Sequence, residues 1–205
     1  VNQGSPAIVS MDDEPHPATL DLLTRLNPTV AILLNDDSTI SGIENTHSIS
    51  ATNASEYSLE LASTVWQSAP TVVFASENDY SGALLASSVA ALFEAPLIFS
   101  DSLSDEDITA LLSTLDTSTS IGITLDGTLE LPMEFVALED IEAVMDWVSE
   151  QGVLPDYFAV TNPNDRLSGR SQKASLAASM FTAKRMGLTI PVSLEMPTET
   201  LTEEQ

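Results

Sequence analysis

Short apolar runs alternate with longer amphipathic stretches along the whole chain, and this alternation restricts the fold more than any single motif does. β-rich runs at residues 6–10, 30–34, 71–75, 96–100, 120–125, 157–161 and 189–194 read as strands. Helical spacing fills 17–26, 54–68, 82–94, 105–115, 138–151 and 173–186. Strands separated by helices cannot close hairpins, so they must return in parallel, and the predicted class is α/β with a parallel sheet flanked by helices. Asn53 with Glu56, and Ser104 with Asp107, place side-chain acceptors over the free N–H groups that open two of these helices.

The chain also repeats itself. Ala7-Ile8-Val9-Ser10, an acidic turn, Leu22-Leu23, Leu26 and then Val30-Ala31-Ile32-Leu33-Leu34 return about ninety residues later. The second set is Leu97-Ile98-Phe99-Ser100, Leu111-Leu112, Leu115 and Ile121-Gly122-Ile123-Thr124-Leu125. Val73-Phe74-Ala75-Ser76-Glu77-Asn78-Asp79, a small-residue helix and Ala95-Pro96-Leu97-Ile98 are likewise echoed downstream. The echo is Ala159-Val160-Thr161-Asn162-Pro163-Asn164-Asp165, Ser175-Leu176-Ala177-Ala178-Ser179 and Thr189-Ile190-Pro191-Val192. Residues 1–43 therefore read as the back half of one unit, 44–132 as a complete unit, 133–197 as the front half of another, and 198–205 as a polar tail. Further units of the same polypeptide are expected beside these halves.

Charge narrows the partners. The 205 residues carry 31 Asp and Glu against 6 Lys and Arg, a formal charge of -25. Such a chain is repelled by phosphate polymers, whose binding depends on Lys and Arg replacing counterions, so nucleic acid is not an expected partner. With 43% hydrophobic residues the chain should still bury a core. Absence of Cys removes disulfides, thiolate metal sites and cysteine nucleophiles together. No apolar run approaches the ~20 residues that span a bilayer, so direct membrane insertion is not expected. The 26 Ser, 20 Thr and two Lys fit a secreted or surface protein, particularly one from a saline habitat, better than an ordinary acidic cytoplasmic one.

Five of the six cations, Arg166, Arg170, Lys173, Lys184 and Arg185, fall within twenty residues, against 27 acids and Arg25 in residues 1–165. This cluster either neutralises nearby carboxylates or holds an anionic group, with Lys184 and Arg185 suited to a helix C-terminus and Arg166 and Arg170 to a site.

Open parallel sheets bind ligands outside the carboxyl ends of their strands, and the turns there are acidic: Asp12, Asp13 and Glu14; Asp36 and Asp37; Glu77, Asn78 and Asp79; Asp101 and Asp105; Asp126; Asn162, Asn164 and Asp165. Oxygen-rich turns suit a hard cation such as Ca²⁺, the one cofactor this composition suggests, although the D-x-D-x-D-G spacing is missing and Asp and Asn build turns and caps by themselves. No G-x-S-x-G, H-E-x-x-H, P-loop or G-x-G-x-x-G occurs, and His16 and His47 read as surface residues, so no catalytic set emerges. Trp66 and Trp147 read as packing against the sheet, while Tyr80, next to Asp79, is the aromatic placed to stack on a sugar.

Residues 71–100, TVVFASENDYSGALLASSVAALFEAPLIFS, resemble the type 2 cell-wall-binding repeat family. Its pattern of a small-polar turn with Asp, an Ala-rich helix and a small-Pro-apolar-apolar strand before a Ser-Asp turn is matched at Asp79, Ala83, Ala86, Ala90, Ala91, Ala95, Pro96 and Asp101. The likeness is best over residues 44–127. It departs at 47–50, where the usual Arg-Tyr pair is missing, and at Asp126-Gly127, which replaces Gly-Gly. The resemblance implies a Rossmann-like, non-catalytic module of an extracellular or cell-surface protein, holding an envelope polysaccharide through Asp79, Tyr80, Asp101, Asp126, Asn164, Asp165, Arg166 and Arg170. A structural spacer in a large surface protein and an accessory domain of an extracellular hydrolase are the alternatives.

Overall fold

The computed structural model describes residues 17–28, 30–34, 45–164, 175, 178, 179, 182 and 186–193. Elements run α1 (Pro17–Leu26), β1 (Val30–Leu34), β2 (Asn45–Ile49), α2 (Ala54–Val65), β3 (Thr71–Ala75), α3 (Tyr80–Leu92), β4 (Leu97–Phe99), α4 (Asp105–Thr114), β5 (Thr119–Ile123), β6 (Val136–Leu138), α5 (Ile141–Glu150), β7 (Phe158–Thr161) and β8 (Leu188–Pro191). Residues 175, 178, 179 and 182 are also helical. The fold is a Rossmann-like α/β fold of parallel sheets and flanking helices. The expected strand at 6–10 lies outside the described residues.

Every described strand pair is parallel. β4, β3, β5 and β6 form a four-stranded sheet in that order, and β1–β2 and β7–β8 form two-stranded sheets. β3 lies between β4 and β5, so both its edges are paired, and Val72, Val73, Phe74 and Ala75 are fully buried. Val73 and Ala75 pack with Ile121, Ile123, Leu85, Val89, Val144 and Val148, so α3 and α5 cover one face. Val72 and Phe74 pack with Ile98, Ala62, Ile108, Leu111 and Leu115, so α2 and α4 cover the other. At about 25 cal/mol per Å² of apolar area, this two-sided burial is the main source of stability.

Local chemistry sets the helix starts. Ser104 and Asp107 form a reciprocal capping box on α4, as their spacing predicts. Asn53 caps α2 through Glu56 N–H, but the Glu56 carboxylate reaches the backbone and hydroxyl of Thr52 instead of closing the box, and those bonds hold its pKa below the usual carboxylate value. Trp66 donates its indole N–H to the Glu94 carbonyl at 2.9 Å, and Trp147 packs against Phe93 with ring centroids 4.9 Å apart. Packing on the sheet face is thus shared with a tie between elements.

Two strands differ from the sequence expectation. β2 is mostly polar, Asn-Thr-His-Ser-Ile, and buries only Ile49; its pairing with β1 makes it a strand. His47 on it is exposed, as read from sequence, while His16 lies outside the described residues. β6 pairs with β5 from Ile121↔Val136 to Ile123↔Leu138, so Leu138 belongs to a strand, and α5 starts only at Ile141 because Asp140 caps it through Ala143 N–H.

The repetition has a structural counterpart. Helix, strand, strand, helix, strand, helix and strand follow one another from α1 to β4 and again from α4 to β8. Left-handed residues mark equivalent helix ends: Asn27 (φ 44°) after α1 and Asp116 (φ 53°) after α4, Glu94 (φ 51°) before β4 and Met186 (φ 57°) before β8. Aligning Glu94 with Met186 sets Pro191 at the place of Phe99, so the sequence echo of 95–98 at 189–192 is two residues out of register with the backbone.

Candidate functional site

From β3 the chain crosses through α3 to β4 on one side, then through α4 to β5 on the other, and α3 and α4 lie on opposite faces. The strand order thus reverses between β3 and β5, and the crevice beyond their carboxyl ends is where open α/β sheets bind ligands. Asp79 fills it. Its side chain is 2% exposed; Oδ1 accepts from Gly82 N–H at 2.7 Å and so caps α3. Oδ2 accepts from Leu125 N–H at 2.6 Å, Asp126 N–H at 3.1 Å and the Thr124 hydroxyl at 3.1 Å. A carboxylate of the chain therefore occupies the helix N-terminus and the turn N–H groups that would otherwise attract an anion.

Asp101 makes a second clamp. It accepts from the Ser76 hydroxyl at 2.6 Å, Glu77 N–H at 2.7 Å and the Asn78 amide at 3.1 Å, tying the turn after β4 to the turn after β3. Partial burial by itself would raise its pKa, but the hydrogen bonds from Ser76, Glu77 and Asn78 outweigh that and the value is lowered. A folded-state pKa below the unfolded value of about 3.9 makes the clamp stabilising above that pH, and the contribution fades as pH falls through the folded value. Asp101→Asn is accordingly expected to lower the urea midpoint at about pH 7, with the difference from the parent smaller at about pH 2.5. An equal difference at both values would refute the assignment.

Of the remaining expected contacts, Tyr80, Asp126 and Asn164 are among the described residues. Tyr80 begins α3 and its hydroxyl lies 2.9 Å from Ser175 Oγ, joining α3 to the last helical segment. Ser87 also bonds Ser179, and Ser88 accepts from Thr189 N–H of β8 at 3.1 Å, so the small-residue face of α3 is a packing seam lined with hydroxyls. Asp126 is exposed with its backbone held by Asp79. Asn164 is exposed in a turn closed by its N–H on Asn162 Oδ1 at 3.1 Å. Asp165, Arg166 and Arg170 lie outside the described residues, as do Lys173, Lys184 and Arg185. Arg25, the cation that is described, pairs with Asp21 at 2.6 Å on the surface of α1.

Asp126 lines an open cleft of about 250 Å³ with Ser81, Leu125, Glu139, Asp140, Ile141, Pro191 and Ser193. Glu139 and Asp140 were not expected here; β6 brings them beside β5, and no local sequence signal announces that pairing. A larger concavity of about 490 Å³ follows the outer side of α4, but its five lining residues all belong to that helix and no groups converge in it. Among the described residues no three His, Asp or Glu side chains converge to hold a metal ion, and no helix is long and apolar enough to cross a membrane.

No family model matches the chain, and no curated protein matches it. A solved structure does. The chain shares the fold of Cwp8 from Clostridium difficile, with a TM-score of 0.56 at 16% sequence identity. That cell wall protein is matched over 89% of this chain, which spans 30% of its length.

Proposed function

We propose that the chain is a non-catalytic attachment module of a cell-surface or secreted protein, of the wall-binding-repeat type, and that it holds an envelope polysaccharide at its strand-end edge. The observation that carries this reading is the fold shared with Cwp8, a cell wall protein. Internal engagement of Asp79 and Asp101 supports it from a second direction, because a plugged crevice suits a binding surface of exposed loops better than a small-molecule pocket. The contacts would then come from Tyr80, Asp126 and Asn164 together with Asp165, Arg166 and Arg170, the two arginines meeting anionic groups on the polymer. The division into 1–43, 44–132, 133–197 and a tail at 198–205, with further units of the same polypeptide alongside, belongs to the same reading.

The same clamps favour a second reading, a structural spacer whose strand-end acids serve only the fold. Pull-down of the protein with purified wall polysaccharides at low and high salt separates the two. Attachment predicts retention, weakened about tenfold by Arg166→Ala with Arg170→Ala while thermal stability is unchanged. Absence of retention at both salt concentrations overturns attachment and leaves the spacer.

A further inference from the structure

Of the eight Asn residues, Asn53 alone opens an Asn-x-Ser/Thr triplet whose middle residue is not proline, Asn53-Ala54-Ser55; Asn27-Pro28-Thr29 is blocked by its proline. In an exported chain this triplet is the acceptor pattern for an N-linked sugar. Asn53 is partly exposed at the end of the connection from β2, where its extended backbone (φ -148°, ψ 171°) caps α2. Its Oδ1 is committed to the cap, accepting from Glu56 N–H at 2.8 Å. Its nitrogen is held far less firmly: Nδ2 has a contact of 3.4 Å with Thr52 Oγ1, and the Glu56 carboxylate is its other neighbour. A sugar on Nδ2 replaces one of two N–H groups, so the capping oxygen and one donor survive.

Ser55 stands differently. It is 0% exposed, and its Oγ accepts from Ser102 N–H at 3.2 Å, in the turn that follows β4. One turn along α2, Ser58 Oγ accepts from Phe99 N–H of β4 at 2.9 Å. The two hydroxyls fasten α2 to β4, and the third residue of the triplet is sealed once they have closed.

We propose that Asn53 carries an N-linked glycan, added before α2 docks on β4. The inference rests on reading the protein as exported. The new bond joins Nδ2 to the anomeric carbon of an oligosaccharide activated on a lipid phosphate; the phosphate leaves, and the nitrogen gives up one proton to the transferase. Because the transferase reads the third residue as well as the first, it must act while Ser55 is still accessible. In the folded protein the glycan projects from the start of α2, beside the turn that Asp101 clamps. α2 and α4 cover one face of the sheet and α3 and α5 the other, so the sugar stands away from Tyr80 on α3 and from the Asp126 cleft at the start of α5.

Secretion of the protein from a eukaryotic cell line with active N-glycosylation, followed by intact mass and peptide mapping, tests this. One glycan per chain is expected, on Asn53 and removable by peptide N-glycosidase. Two variants should lose it while matching the melting temperature of the unglycosylated parent. Asn53→Ser removes the amide but keeps a hydroxyl acceptor for the cap. Ala54→Pro leaves Asn53 and Ser55 in place and sets proline at the first helical position after an extended residue, where it is tolerated. Folded, unglycosylated protein offered to the same transferase should stay bare, whereas the nascent chain is modified. A secreted protein bare at Asn53, a glycan that persists in either variant, or modification of the folded protein as fast as of the nascent chain would each overturn the proposal. Retention on wall polysaccharide is read separately: a glycosylated chain that is not retained ends the attachment reading and leaves this site standing, and a bare chain that is retained does the reverse.

Discussion

Asp79→Ala is expected to remove about 3 kcal/mol of stability, lowering the melting temperature by roughly 6–12 °C. The carboxylate accepts four hydrogen bonds from two parts of the chain, and it links the start of α3 to the end of β5. Alanine leaves Gly82 N–H without its cap and the N–H groups of Leu125 and Asp126 without an acceptor. Loss of a cap alone costs about 1 kcal/mol, and each stranded, partly buried donor adds a comparable amount. Asp79→Asn keeps one oxygen for the cap but turns an amide donor toward other donors, so a loss of about 1–2 kcal/mol is expected. Denaturant midpoints measure both. A change below about 0.5 kcal/mol for the alanine variant would mean that the turn at 124–126 holds itself.

Gly82→Ala should cost about 2 kcal/mol in the parent and almost nothing once Asp79 is replaced by alanine. A Cβ at residue 82 would lie 2.3 Å from Asp79 Oδ2 and 2.8 Å from Cγ. The carboxylate cannot retreat without breaking its bonds to Leu125 and Asp126, so the clash is with a fixed group instead of a flexible side-chain end. Without that carboxylate the space opens, and alanine is the better helix former by about 0.5–1 kcal/mol. The double-mutant cycle should therefore show strong coupling. Simple additivity would contradict the geometry, because it would place the cost of the added methyl group somewhere other than Asp79.

Both experiments act on a bond network that the sequence could announce only in part. The alternation of apolar runs with helical spacing was enough to read the parallel α/β class, and α1 falls at 17–26 as its periodicity predicts. Ser104 with Asp107 was legible because a capping box is a contact across three residues. β2 was not: four of its five residues are polar, and its strand state comes from hydrogen bonds to β1. β6 was obscured by the same dependence on a partner, since Val136-Ala137-Leu138 joins smoothly in sequence to the amphipathic pattern of α5.

Acidic residues show the division most sharply. The sequence by itself determined that strand-end turns would be rich in Asp, that the formal charge would be -25, and that its apolar patterns would recur at a spacing near ninety residues. Which of those acids face water was decided only when strands far apart in sequence came together. Asp79 is buried because the turn at 124–126, some 45 residues on, closes over it, whereas Asp126 in that same turn remains exposed. The repeated apolar pattern behaves likewise: Leu111 and Leu22 are equivalent in sequence, but only Leu111 has β3 beneath it. Local patterns specify helices and caps because their partners lie within a few residues, and burial depends on contacts whose partners the chain brings near only by folding.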